Sequence, residues 1–68
     1  MKYRICDLIG FISGVFGADD LLKYYPELMY GVELKKFGEF YYVIKNGKIV
    51  SDTSFFSEEE MKFMEIVQ

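Results

Sequence analysis

From Met29 onward, apolar and polar positions alternate: Tyr30, Val32 and Leu34 fall on one side, Glu33 and Lys35 on the other. This is the period-two pattern of a strand with one buried face. Lys36-Phe37-Gly38 then reads as a turn, with Gly38 free to take a positive φ. Alternation resumes from Glu39 to Thr53 around Asn46-Gly47, the favoured pair for a type I′ hairpin turn. A two-residue loop places Lys45 opposite Lys48, Ile44 opposite Ile49, Val43 opposite Val50 and Tyr42 opposite Ser51. One face then holds Phe40, Tyr42, Ile44, Ile49 and Ser51, carries no charge, and is expected to cover the core. The other holds Glu39, Tyr41, Val43, Lys45, Lys48, Val50 and Asp52, an apolar centre within a charged ring, and is expected to face outward.

The period changes at both ends of the chain. Residues 4–16 place Ile5, Leu8, Ile9, Ile12 and Val15/Phe16 at helical spacing. Gly10 and Gly14 weaken that helix by about 1 kcal/mol each, yet let another backbone approach closely along one side, as for a short helix packed tightly against the sheet. Tyr3 and Ile5 also alternate with Arg4 and Cys6, so a strand over Lys2 to Cys6 stays open as the alternative. Gly17 ends the element, and Asp19 is positioned to cap a second short helix through Leu21, Leu22 and Tyr24. Pro26 stops it, because the residue before a proline is pushed out of helical geometry. Near the C-terminus, Ser57 and Glu60 have capping-box spacing, flanked by Phe56 and Met61 at the staple positions. Glu58, Glu59 and Glu60 suit a helix first turn, and Phe63, Met64 and Val67 form a stripe that a helix could lay on the sheet. The expected fold is α+β, one domain over residues 1–68. It has one or two N-terminal helices, a three-stranded antiparallel meander, and a C-terminal helix packed on one sheet face.

Size and composition sharpen this picture. A 68-residue chain holds one core and is marginally stable unless it is stapled or self-associates. Cys6 is the only cysteine and histidine is absent, so an intrachain disulfide and a Cys-His zinc site are both excluded. What remains is a dense apolar core or a homodimer; seven Phe and six Tyr supply the rings for either. So many tyrosine hydroxyls exceed what a small core can satisfy, so several must reach solvent or a partner. The longest uncharged run, Leu8 to Ala18, is half a membrane span. Asp7 interrupts a signal-peptide reading behind Lys2 and Arg4. The expected setting is the cytoplasm, with no membrane partner. Met1 reads as the start of a complete short gene product.

Candidate chemistry is sparse. Without histidine the usual general base near neutral pH is missing. Cys6 stands beside Asp7 with only Arg4 as a local cation, and reads as a buried structural thiol. Asp19-Asp20 and Glu58 to Glu60 sit where helix N-termini favour acids, which accounts for them without metal or acid–base chemistry. No catalytic residue, cofactor or metal is assigned, and the chain reads as non-enzymatic. The candidate partner-binding residues are those of the outward hairpin face: Tyr41, Val43, Val50, Lys45, Lys48, Glu39 and Asp52. The expected partner is a protein or a second copy of the chain. Nucleic acid, stacked on sheet aromatics beside the hairpin lysines, is disfavoured by a net charge of −3.

The segments DLIGFISG at residues 7–14 and EFYYVIKNGKIV at 39–50 resemble small uncharacterised proteins of phages and mobile elements of low-GC Gram-positive bacteria. In those, a short helix ending in Gly precedes a Lys- and Tyr-rich hairpin on Asn-Gly. The amino-acid usage agrees, with Lys, Ile, Phe, Tyr and Glu abundant and single Ala, Arg and Pro residues, a skew typical of AT-rich coding sequence. The resemblance implies an accessory protein that binds and blocks a host or anti-phage defence factor. It carries over no functional residue.

Overall fold

A computed structural model describes residues 1–68 as an α+β fold of two helices on a six-stranded antiparallel sheet. In chain order the elements are β1 (Lys2–Ile5), α1 (Leu8–Gly14), α2 (Ala18–Tyr24), a 3₁₀ turn (Pro26–Met29), β2 (Val32–Phe37), β3 (Phe40–Lys45), β4 (Lys48–Ile49), β5 (Phe55–Ser57), a second 3₁₀ turn (Glu60–Phe63) and β6 (Met64–Val67). The sheet runs β4-β3-β2-β1-β6, and β5 shares with β4 the outer edge of β3. No helix is long and apolar enough to cross a membrane.

Local sequence accounts for most of the elements. Asp7 caps α1 by accepting from the Gly10 N–H at 3.0 Å. Gly17, at φ 72°, turns the chain from α1 into α2, and Asp19 lies inside the first turn of α2 instead of capping it. Tyr25, ahead of Pro26, leaves the helical region as its position demands. Asn46 and Gly47 both take positive φ, 54° and 76°, the signature of a type I′ turn. Lys45 pairs with Lys48 and Ile44 with Ile49, as the register argument expects.

One open alternative is decided, and two expectations are overturned. Residues 2–5 form a strand, and the first helix is confined to Leu8–Gly14. The meander is part of a larger sheet. Chain departs from β3 at Val50 and returns as β5, so Tyr42 faces Phe55 and not Ser51. The second overturned expectation is the C-terminal helix. Its capping box forms, with Ser57 N–H donating to Glu60 Oε1 at 2.8 Å and Glu60 N–H to Ser57 Oγ at 3.2 Å. It nucleates only one 3₁₀ turn before Met64–Val67 becomes a strand along β1. A helix so short costs more to nucleate than it returns, while β1 offers an open row of backbone partners.

The core lies between the helices and one face of the sheet. Phe11, Leu28, Val43 and Phe56 are its largest fully buried side chains, joined by Ile5, Val15, Val32, Leu34 and Met64. The Phe63 ring fills the side of α1 where Gly10 and Gly14 lack side chains; a Cβ at either position would come within 2.8 Å of that ring. The glycine pair thus admits a close neighbour, but that neighbour is an aromatic side chain and not another backbone. Cys6, expected to be buried, is exposed just beyond β1.

Candidate functional site

Period-two sorting of the hairpin side chains holds, but the two faces are exchanged. Leu34 stands opposite Val43, and Phe56 opposite Tyr41, so these residues share the core face. Val43 is 0% exposed, and Tyr41 packs against the core with its ring 6.2 Å from that of Tyr3. Charge misled the assignment because it sits only at the strand ends. Lys45 extends past the core to Glu27 at 2.8 Å, and Lys36 reaches Glu58 at 3.1 Å. Long lysine stems allow this without burying charge. The Lys45 ammonium holds the Glu27 carboxyl below the usual glutamate range, chiefly by its hydrogen bond. Glu58 likewise raises Lys36.

The seven residues expected to form a binding face are accordingly dispersed. Val43 is core, Tyr41 lines its rim, and Lys45 is tied to Glu27. Lys48 faces Lys45 in register, on the side of the sheet that the helices cover. Val50 is exposed beyond β4, its N–H donating to the Val43 carbonyl at 3.0 Å. Glu39 and Asp52 are exposed in separate turns. No common surface gathers them.

The face left open is the one expected to be core. Phe37 pairs with Phe40, Lys35 with Tyr42 and Tyr42 with Phe55, which puts their side chains on the side away from the helices. Phe40 and Phe55 meet at 4.8 Å between ring centroids, Tyr42 and Phe55 at 5.7 Å, and Phe37 and Tyr42 at 6.1 Å. Ile44 is buried within this face, while Phe37, Phe40, Phe55 and Ile49 remain 36–44% exposed. With a ring side chain presenting 150–250 Å², the exposed part is on the order of 300 Å². That matches the largest apolar patch of a typical monomer, a size often tied to function.

The remainder of the same face is polar. Lys2 stands opposite Glu33, Arg4 meets Glu65 at 3.4 Å, and the Lys35 ammonium lies 5.6 Å from the Phe37 ring centroid. The open face is thus half aromatic, over β3, β4 and β5, and half mixed charge, over β6, β1 and β2. One sequence signal pointed to this arrangement. A two-residue turn at Gly38-Glu39 sets Leu34 opposite Val43, and Leu34 shares its side with Val32, away from Glu33 and Lys35. Placing the turn one residue earlier hid that register. Compared with protein-family models, with curated proteins and with solved structures, the chain gives no match.

Proposed function

We propose that this protein is a protein-binding module that docks its partner on the open face of the sheet and acts by occupying it, without catalysis. The observation that carries this reading is the aromatic half-face of Phe37, Phe40, Tyr42 and Phe55, uncovered by any other part of the chain. Rings contribute large contact area at low entropic cost, and an apolar centre bordered by mixed charge is how recognition surfaces are built. The patch is smaller than the ~800 Å² per partner of a standard interface, so the charged half must contribute as rim. The likeness of residues 7–14 and 39–50 to small phage proteins supports the finer reading. On it, the chain is a phage- or mobile-element-encoded inhibitor of a host or anti-phage factor, working in the host cytoplasm.

A nucleic-acid ligand fits this surface less well. The hairpin lysines Lys45 and Lys48 belong to the opposite side, and the rings lean on one another at 44–61° instead of lying open as stacking platforms. The test is capture from a nuclease-treated host lysate with the wild-type protein and a Phe37→Ser/Phe40→Ser variant. A partner held by the wild type should be lost by the variant, whose circular-dichroism melt stays nearly unchanged. Equal capture by both overturns the reading. Binding to an oligonucleotide that falls steeply with salt would replace it with the nucleic-acid one. A dilution series by sedimentation tests self-association through the same face.

A further inference from the structure

We propose that a cleft beside the open face receives an arginine side chain of the protein partner, an inference that rests on the protein-binding reading above. The cleft, of about 370 Å³, lies between α2 and the loop leading into β5. Phe16, Tyr24 and Phe55 line it together with Asp20 and Glu60, and no basic residue does. Phe55 belongs both to the aromatic half-face and to the lining of the cleft, so the two meet at that residue.

Each acid has a local explanation on its own: Asp20 sits in the first turn of α2, and Glu60 closes the capping box. Neither explanation accounts for their convergence from separate elements on one aromatic cleft. Asp20 enters no ion pair, and Glu60 uses Oε1 in the box. Phe16 is 99% exposed and Tyr24 68%, so neither ring is held there by burial in this chain. The Lys23 ammonium, outside the lining residues, lies 6.0 Å from the Tyr24 ring centroid, at the outer limit of cation–π reach.

A cation between aromatic faces and two carboxylates is best supplied as a guanidinium. It is planar, weakly hydrated, stacks on rings, and presents a fork of donors to carboxylate oxygens. The floor is preorganised: Ser54, buried at the loop, exchanges a 3.0 Å hydrogen bond with the Tyr25 hydroxyl.

The experiment titrates acetyl-Ala-Arg-Ala-amide, its citrulline counterpart and spermidine into the ¹⁵N-labelled full chain. The arginine peptide should give saturable amide shifts confined to residues 16–24 and 53–60, at an affinity about tenfold above citrulline, because only the charge differs. Asp20→Asn/Glu60→Gln should bring arginine down to the citrulline level. Gln at position 60 keeps the capping box, so the fold is retained. Phe16→Ser, at a residue without structural burial, should also weaken the arginine peptide several-fold. Equal binding of arginine and citrulline, absence of saturable shifts, or shifts mapping elsewhere overturns the proposal. Spermidine binding as tightly as arginine overturns the polypeptide source. If the cleft fails while Phe37→Ser/Phe40→Ser still abolishes partner capture, only this inference falls; the reverse outcome removes the sheet-face reading beneath it.

Discussion

Glu27 and Lys45 form the shortest of the three ion pairs, at 2.8 Å, and tie the first 3₁₀ turn to the end of β3. Because the lysine holds the Glu27 carboxyl below its ordinary range, the pair stabilises the fold fully above the unfolded glutamate value. That contribution disappears as pH falls through the lowered folded-state value. Both side chains are about a third or more exposed, so screening limits it to about 0.5 kcal/mol. Glu27→Gln should therefore lower the melting temperature slightly at pH 7, and the difference from wild type should shrink as the pH is lowered through the acid range, as followed by circular dichroism. Single rings differ far more. Phe56→Ala removes a fully buried side chain from the centre of the core, and should cost about 3–5 kcal/mol. A domain this small would be largely unfolded, visible as a lost denaturation baseline. Phe16→Ser should stay within about 0.5 kcal/mol of wild type in urea titration, because solvent already surrounds the ring.

The elements that follow from contiguous residues are those with their own punctuation. Gly17 and Pro26 around α2 and Asn46-Gly47 in the hairpin each satisfy a local backbone requirement and appear where the sequence places them, while Asp7 caps α1 at a position that the helical spacing of residues 4–16 passed over. Elements that depend on a distant partner were legible only as an open alternative, as for β1, or not at all. β1 and β6 pair with one another across almost the whole chain, and β5 joins β3 only after an excursion through residues 50–54. The glycines of α1 carry a prediction on this scale. Gly14→Ala gains about 1 kcal/mol of helix propensity but drives a Cβ to 2.8 Å from Phe63, an overpacking cost of about 1–3 kcal/mol. Net destabilisation is expected in urea titration, and Phe63→Leu in the same chain should recover part of it. Truncation after Phe63 deletes β6 and the buried Met64, leaving β1 with one open edge. Such a chain should lose cooperative unfolding, although its capping box is intact.

At the scale of the molecule, the helices cover one side of the sheet, and the other side is where the function is proposed. Which side became which could not be read from the hairpin alone. Its two sets of side chains, Tyr41 with Val43 and Phe40 with Tyr42 and Ile44, were separable by alternation, since successive residues of a strand must point to opposite faces. Both sets are apolar enough to be buried, and a strand holds no information about which of its faces the rest of the chain will cover. That choice came from pairings far apart in sequence. Leu34 lies beside Val43, Phe56 beside Tyr41 and Tyr3 beyond it, and together with Phe11 they complete a core on that side only. The same argument exchanges the expected roles of mutations. Substituting Val43 with Ser strikes the core and should unfold the chain, whereas Phe37→Ser/Phe40→Ser should spare the fold and remove binding. The sequence by itself determined the α+β class, the Asn46-Gly47 turn, the Ser57–Glu60 capping box and the partition of the hairpin into two faces, because these rest on backbone geometry and neighbouring residues. Only the tertiary structure decided which face is buried, where the C-terminus pairs, and that an aromatic patch stays open, because long-range packing chooses among surfaces that are locally equivalent.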